Sequence, residues 1–180
     1  MMSNNNTLPT ALQLAALEIA KEQVGVQEEP KGSNKGPMIN EYLKAVGLGP
    51  GYAWCAAFVY WCYAAAAKRV GVENAMVKTA GVYDCWNRSN NRKGVQKITK
   101  SEVVAGTAVL QAGDQFVMTY GRNKGHTGII ESITENEAGT IVLHTIEGNS
   151  NNSGSREGYA VVRQTRLLSH KAIQGFLRYT

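Results

Sequence analysis

Three cysteines and three histidines carry most of the reactivity this 180-residue chain can offer near neutral pH. A thiol attacks a carbonyl only as the thiolate, and two devices favour that form: a helix N-terminus and a neighbouring imidazolium. Cys55 follows the break Gly49-Pro50-Gly51 and lies at the start of Trp54 to Val70, where nearly every position down to Lys68 is apolar or small. Such a run reads as a helix buried on most sides, with Cys55 in its first turn. Cys62 comes two turns later on the same helix and is expected to be an inert core thiol. Cys85, in Tyr83-Asp84-Cys85-Trp86, reads equally as buried or half-exposed. An odd cysteine count excludes a fully paired disulfide framework, and without a Cys-x-x-Cys pair no zinc site is expected.

The partner of a thiol nucleophile is a base. His126 sits in Lys124-Gly125-His126-Thr127-Gly128-Ile129-Ile130, at the mouth of an apolar strand. The small residue Gly125 beside it would let a substrate backbone approach the ring. His144 alternates within Ile141-Val142-Leu143-His144-Thr145-Ile146 and reads as structural; His170 lies in a turn and reads as exposed. An imidazole base needs an acceptor that fixes its tautomer. Glu147 and Asn149 end the strand expected to pair beside that of His126. Two residues apart on a regular strand, they would point to one face, so either can hold the ring.

The elements that must position these residues fall into two halves. Leu8 to Gln23 reads as a helix with Thr7 as N-cap, its apolar face built from Leu8, Leu12, Ala15, Ala16 and Ile19 and widened by Leu14 and Leu17. Glu28 to Gly36 is a loop dense in turn residues, and Pro37 to Val46 a second helix. The buried helix of Cys55 follows. Between Val72 and Ala112 only a short helix near Tyr83 to Asn90 is expected, and the rest reads as loop. From Gly113 the pattern changes to strands: Gln115–Tyr120, Thr127–Ile133, Thr140–Ile146, Tyr159–Thr165 and Ala172–Tyr179. Helices first and antiparallel strands after is an α+β arrangement. The chain divides into a polar arm, 1–7, and a single domain, 8–180.

Hydrophobic residues make up 43% of the chain and charged residues 18%, enough apolar surface for a real core. No apolar run approaches the roughly 20 residues of a membrane span. Net charge is +5 with a pI near 9.1. The loose basic group Arg88, Arg92, Lys93, Lys97 and Lys100 reads as a solvated face ahead of a polyanion site, and no zinc-finger spacing or RNA-binding aromatic motif accompanies it. The N-terminus shows no basic, apolar and cleavage regions of a secretory signal.

Taken together, Trp54-Cys55-Ala56-Ala57-Phe58-Val59 with Trp61, Gly113-Asp114 before a strand, Gly125-His126-Thr127-Gly128-Ile129, and Glu147-Gly148-Asn149 resemble, in order, the motifs of CHAP domains (cysteine- and histidine-dependent amidohydrolases/peptidases). Gly25-Val26-Gln27-Glu28-Glu29 and Asn34-Lys35-Gly36 are similar to the lead-in of many bacterial and phage members. The resemblance implies a papain-like fold, N-terminal helices packed on an antiparallel sheet, and cleavage of amide bonds in the stem peptides or cross-links of peptidoglycan. It implies Cys55 as nucleophile, His126 as general base and then acid, Glu147 as the residue that orients His126, and Asn149 as support for the ring or the oxyanion. Trp54, Tyr52 and Gly125 are expected to line the substrate, with the Cys55 N–H and Tyr52 as oxyanion donors. Some CHAP domains carry an acidic calcium loop ahead of the cysteine. Only Glu28 and Glu29 stand there, so no metal and no other cofactor is expected. The partner implied is bacterial peptidoglycan, with an immunity protein if the chain is an injected antibacterial effector, and neither nucleic acid nor membrane. Synthesis in the cytoplasm and action on the wall after release, as a phage lysin, or after injection is the expected setting. The rival readings are a papain-like acyltransferase or deamidase acting on proteins and an inactive wall-binding module.

Overall fold

The computed structural model describes residues 8–121, 124–151 and 158–180; the polar arm, 1–7, lies outside them. Helix α1 runs Ala11–Glu22, capped by Thr10, whose side chain and that of Gln13 bond reciprocally to each other's backbone N–H. The expected cap, Thr7, lies outside the described residues. Leu8 stands ahead of the helix and is 83% exposed, and Leu14 stays half-exposed rather than widening the apolar face. Gln13 is buried instead, because its amide donates to the carboxylate of Asp114 at 3.0 Å.

Helix α2 (Pro37–Ala45) and the long α3 (Cys55–Val70) follow. Ala56, Ala57, Ala66 and Ala67 let neighbours approach α3 closely, while Phe58, Val59 and Tyr63 fill the space between it and the rest. The helix ends at Gly71, in the left-handed conformation that suits glycine. Helix α4 (Val82–Arg88) then leads into two elements that read as loop: strand β1 (Val95–Thr99) and the short helix α5 (Lys100–Val104). β1 is a half-exposed edge strand with one fully buried residue, Ile98, so its alternation is weak. The signal for α5 is local, a capping box between Thr99 and Glu102.

The remaining strands are β2 (Gln115–Thr119), β3 (Gly125–Glu135), β4 (Ile141–Ser150), β5 (Ala160–Leu167) and β6 (Ile173–Tyr179). They form one antiparallel sheet in the order β1-β6-β2-β3-β4-β5. Both faces are covered. Val117, Ile129, Ile146, Val161 and Leu177 join the cluster of α1 to α4, and Phe116, Met118, Ile130, Leu143 and Phe176 join a second cluster that includes Val103 of α5. The architecture is α+β with N-terminal helices on an antiparallel sheet, in keeping with a papain-like fold.

Two features fix α3 against the strands. A Cβ at Gly148 would lie 2.7 Å from the Trp54 ring and 2.8 Å from Phe58, so only glycine lets β4 lie on the first turn of α3. Below it, Asp114 receives a two-pronged bond from Arg178 of β6 (2.8 and 2.7 Å) and one from the backbone N–H of Gln111, while Tyr63 of α3 donates to the Gly113 carbonyl. The Gly113-Asp114 motif thus joins α1, α3, β2 and β6.

Candidate active site

Cys55 is the first residue of α3, and no side chain caps that end. Its backbone N–H and those of the next residues have no intrahelical acceptor, since the first helical bond runs from Phe58 to the Trp54 carbonyl. Partial positive charge therefore collects beside the thiol. Of the three cysteines, Cys55 alone retains measurable exposure, 5%; Cys62 and Cys85 have none. Burial pushes the Cys62 thiol well above its usual range and that of Cys85 up to about 11. Cys85 is buried, with the Tyr179 hydroxyl 3.9 Å from its sulfur.

His126 is the second residue of β3, opposite Met118 of β2, and is fully buried. Its Nε2 lies 2.7 Å from Oε2 of Glu147 on β4. Its Nδ1 is buried with no hydrogen-bond partner among the described residues, and the Cys55 side chain is the other group acting on the ring. With Nε2 taken by Glu147, Nδ1 is the nitrogen left for the thiol. Burial opposes a charge on this ring, yet Cys55 and Glu147 together outweigh it and hold His126 up at about 9, above its ordinary 6.5.

Glu147 is fully buried and fully engaged. Thr145 Oγ1 donates to Oε1 at 2.7 Å and Ser150 Oγ to Oε2 at 3.3 Å. Arg166 of β5 forks onto it, Nε to Oε1 at 2.8 Å and Nη2 to Oε2 at 2.6 Å. Burial would raise this carboxyl, but Arg166 and His126 outweigh burial and bring it down to about 2.

The expectation that Glu147 and Asn149 share a face meets a correction. The β4–β5 register shifts between Glu147 and Ser150, and Asn149 has φ 54°. Ser150 touches Glu147 although the two are three apart, which a regular strand forbids. The bulge breaks the alternation, and the ring bonds to Glu147. Asn149 is buried on the same strand.

The residues expected to line the substrate divide. Tyr52 is 56% exposed, three positions before Cys55. Trp54 is corrected: it is wholly buried, stacked near Tyr42, and donates from Nε1 to Glu28 Oε1 at 2.9 Å. That bond holds Glu28 Oε1 against the indole of the residue just before the nucleophile. At Gly125 the space a side chain would need is filled by Val82 of α4, 2.9 Å from an added Cβ, and by the Met118 carbonyl. Its smallness serves the approach of α4. His144 bonds Thr134 and His170 is exposed, away from this constellation.

Residues 47–149, more than half of the chain, match the family model of the CHAP domain. The chain belongs to the CHAP family. No curated protein and no solved structure matches it significantly. The family is one of amidases and peptidases of peptidoglycan, and the matched span contains Cys55, His126, Glu147 and Asn149.

Sequence reasoning missed Arg166, Thr145, Ser150 and Glu28. The strand expected over Tyr159–Thr165 stopped one residue short of Arg166, and a charged residue there reads as facing solvent. Four residues of the basic group near α4 have local partners: Arg88 pairs with Asp84, Arg92 bonds the Ala75 carbonyl, Lys97 lies over Trp86, and Lys100 bonds the carbonyls of Ser169 and His170. Among the described residues, no helix is long and apolar enough to cross a membrane.

Proposed function

We propose that this CHAP domain hydrolyses amide bonds in the stem peptides or cross-links of peptidoglycan, with Cys55 as nucleophile, His126 as acid and base, and Glu147 as the residue that orients the ring. The observation that carries the reading is a buried imidazole with Glu147 on Nε2 and Nδ1 left for a thiol at an uncapped helix start. The Cys55 thiolate adds to the carbonyl carbon, and the oxyanion is held by the Cys55 N–H and its neighbours at the head of α3. The C–N bond breaks as the imidazolium gives its proton to the departing amine. Water then attacks the thioester, His126 takes the water proton, and the carboxylate product leaves with the thiolate restored. Glu147 keeps the ring in one tautomer and balances its charge throughout.

The substrate setting we infer is a wall reached after release, as a phage lysin, or after injection into a rival's periplasm as an effector with an immunity partner; gene neighbourhood separates the two. The experiment is release of soluble muropeptides from purified peptidoglycan. Cys55→Ala and His126→Ala should each lower the rate by about 1,000-fold or more. Wild-type turnover in either variant overturns the mechanism. Modification of protein acceptors with no action on peptidoglycan overturns the substrate.

A further inference from the structure

A carboxylate that serves only to orient an imidazole does not need a second cation. Glu147 has one. The Arg166 side chain is 12% exposed and lies on the strand next to that of Glu147. Its fork meets both carboxylate oxygens, and Nη2 meets Oε2, the same oxygen that faces His126 Nε2. One buried anion is thus shared by two cations whenever the ring is protonated.

We propose that Arg166 is a positioning residue that shares the charge of Glu147 and so keeps His126 able to give up its proton. The proposal rests on the Cys55, His126 and Glu147 reading above. Its logic is electrostatic and geometric. A buried carboxylate paired with His126 alone would hold the imidazolium more tightly, because in a low-dielectric site nothing else would offset the attraction. Arg166 repels the imidazolium through the shared oxygen, which weakens that hold. The planar fork also fixes the plane of the carboxylate, which a point charge does not.

The groups around the ring leave few other sources for such an effect. From α3 it meets Cys55, and from β4 Glu147. From β2 its neighbours are Met118 and Phe116, neither of which titrates. From α4, Val82 abuts the adjacent Gly125, and the charged Asp84 is exposed and paired with Arg88. Tyr120, just after β2, is the other titratable group beside Arg166, and its effect there is smaller than that of Glu147.

The test is an NMR titration of the His126 ring in full-length protein carrying Cys55→Ala, compared with the same protein carrying in addition Arg166→Met, Arg166→Gln or Arg166→Lys. The neutral replacements should raise the His126 midpoint by about one pH unit, and lysine, which keeps the charge, by much less. An unchanged or lowered midpoint in a folded neutral variant overturns the proposal; methionine and glutamine are both used so that a folding failure of one leaves the other. The titration needs no turnover, so it stands apart from the hydrolase reading. With Cys55 present, the alkaline limb of the pH–rate profile should move up in the neutral variants and return with lysine. A purely structural arginine would lower yield or stability and leave that limb in place.

Discussion

Two carboxylates in this molecule are fully buried and gripped by a forked arginine, and they do different things. Asp114 has Arg178, with further bonds from Gln13 and the Gln111 N–H. Glu147 has Arg166, with further bonds from Thr145 and Ser150. Burial still leaves Asp114 above its ordinary range despite Arg178, whereas Glu147 is brought down to about 2. The distinguishing partner is His126. One arginine offsets the loss of hydration only in part; an arginine and an imidazolium on the same carboxylate exceed it. Asp114 is therefore a lock between elements, and Glu147 is a poised anion.

The largest separation between the two should come from isosteric neutralisation. Glu147→Gln should cut muropeptide release by about 100-fold or more, because the imidazolium loses its counter-charge while the shape is kept. His126 should then titrate below its present value of about 9. Asp114→Asn should cost about 3–5 kcal/mol of stability, since the buried Arg178 guanidinium loses its counter-charge, and leave turnover of the folded fraction within about twofold. Glu147→Gln will lose stability too, for Arg166 likewise loses its counter-charge. The pH–rate profile is what tells them apart: a profile displaced in Asp114→Asn, or unmoved in Glu147→Gln, breaks the comparison.

Stability against pH sharpens it further. His126 has a folded value raised from 6.5 to about 9, so its contribution is full below 6.5 and lost as pH rises through about 9. Glu147 has a folded value depressed from 4.5 to about 2, so its contribution is present above 4.5 and lost as pH falls through about 2. Asp114 runs the other way: raised by burial, it favours the folded state in its protonated form and gives up that advantage as pH rises. Thermal unfolding of wild type and His126→Ala across this range is the measurement. The Tm difference between them should be widest between about pH 4.5 and 6.5 and shrink toward pH 10. A difference that grows with pH above 9 would mean that the ring is not held as the cation.

What could be read in the sequence tracks how local each signal is. Cys55 was legible because the Gly49-Pro50-Gly51 break and the apolar run behind it are contiguous. The strands of His126 and Glu147 were legible because β-branched residues mark them directly. Arg166 was not, since its meaning comes from a carboxylate on the neighbouring strand, and position by position it is only another charge near a strand end. Trp54 was read as lining substrate because it adjoins the nucleophile; its partner, Glu28, comes from a loop 26 residues upstream. The edge strand β1 hid because one side meets no neighbour and its alternation is correspondingly weak. The bulge at Asn149 hid because a two-residue period assumes the regularity that a bulge removes.

That bulge supplies the smallest effect. Glu147 already holds the His126 ring at Nε2, which leaves Nδ1 for the thiol, so the orienting role falls to Glu147 rather than Asn149. Two roles remain: support for the oxyanion through its amide, or accommodation of the left-handed backbone at φ 54° that turns Ser150 toward Glu147. Asparagine tolerates that conformation better than alanine, and glycine better still. If the backbone role holds, Asn149→Ala should lose about 1 kcal/mol and a few-fold in rate, and Asn149→Gly should recover most of both. If the amide touches the oxyanion, both variants lack it and both should fall together by about 100-fold, with stability no guide to the loss. Turnover on purified peptidoglycan, paired with urea unfolding of the same two proteins, decides. Recovery in glycine assigns Asn149 to the strand, so that Ser150 reaches Glu147 only because the chain bulges between them.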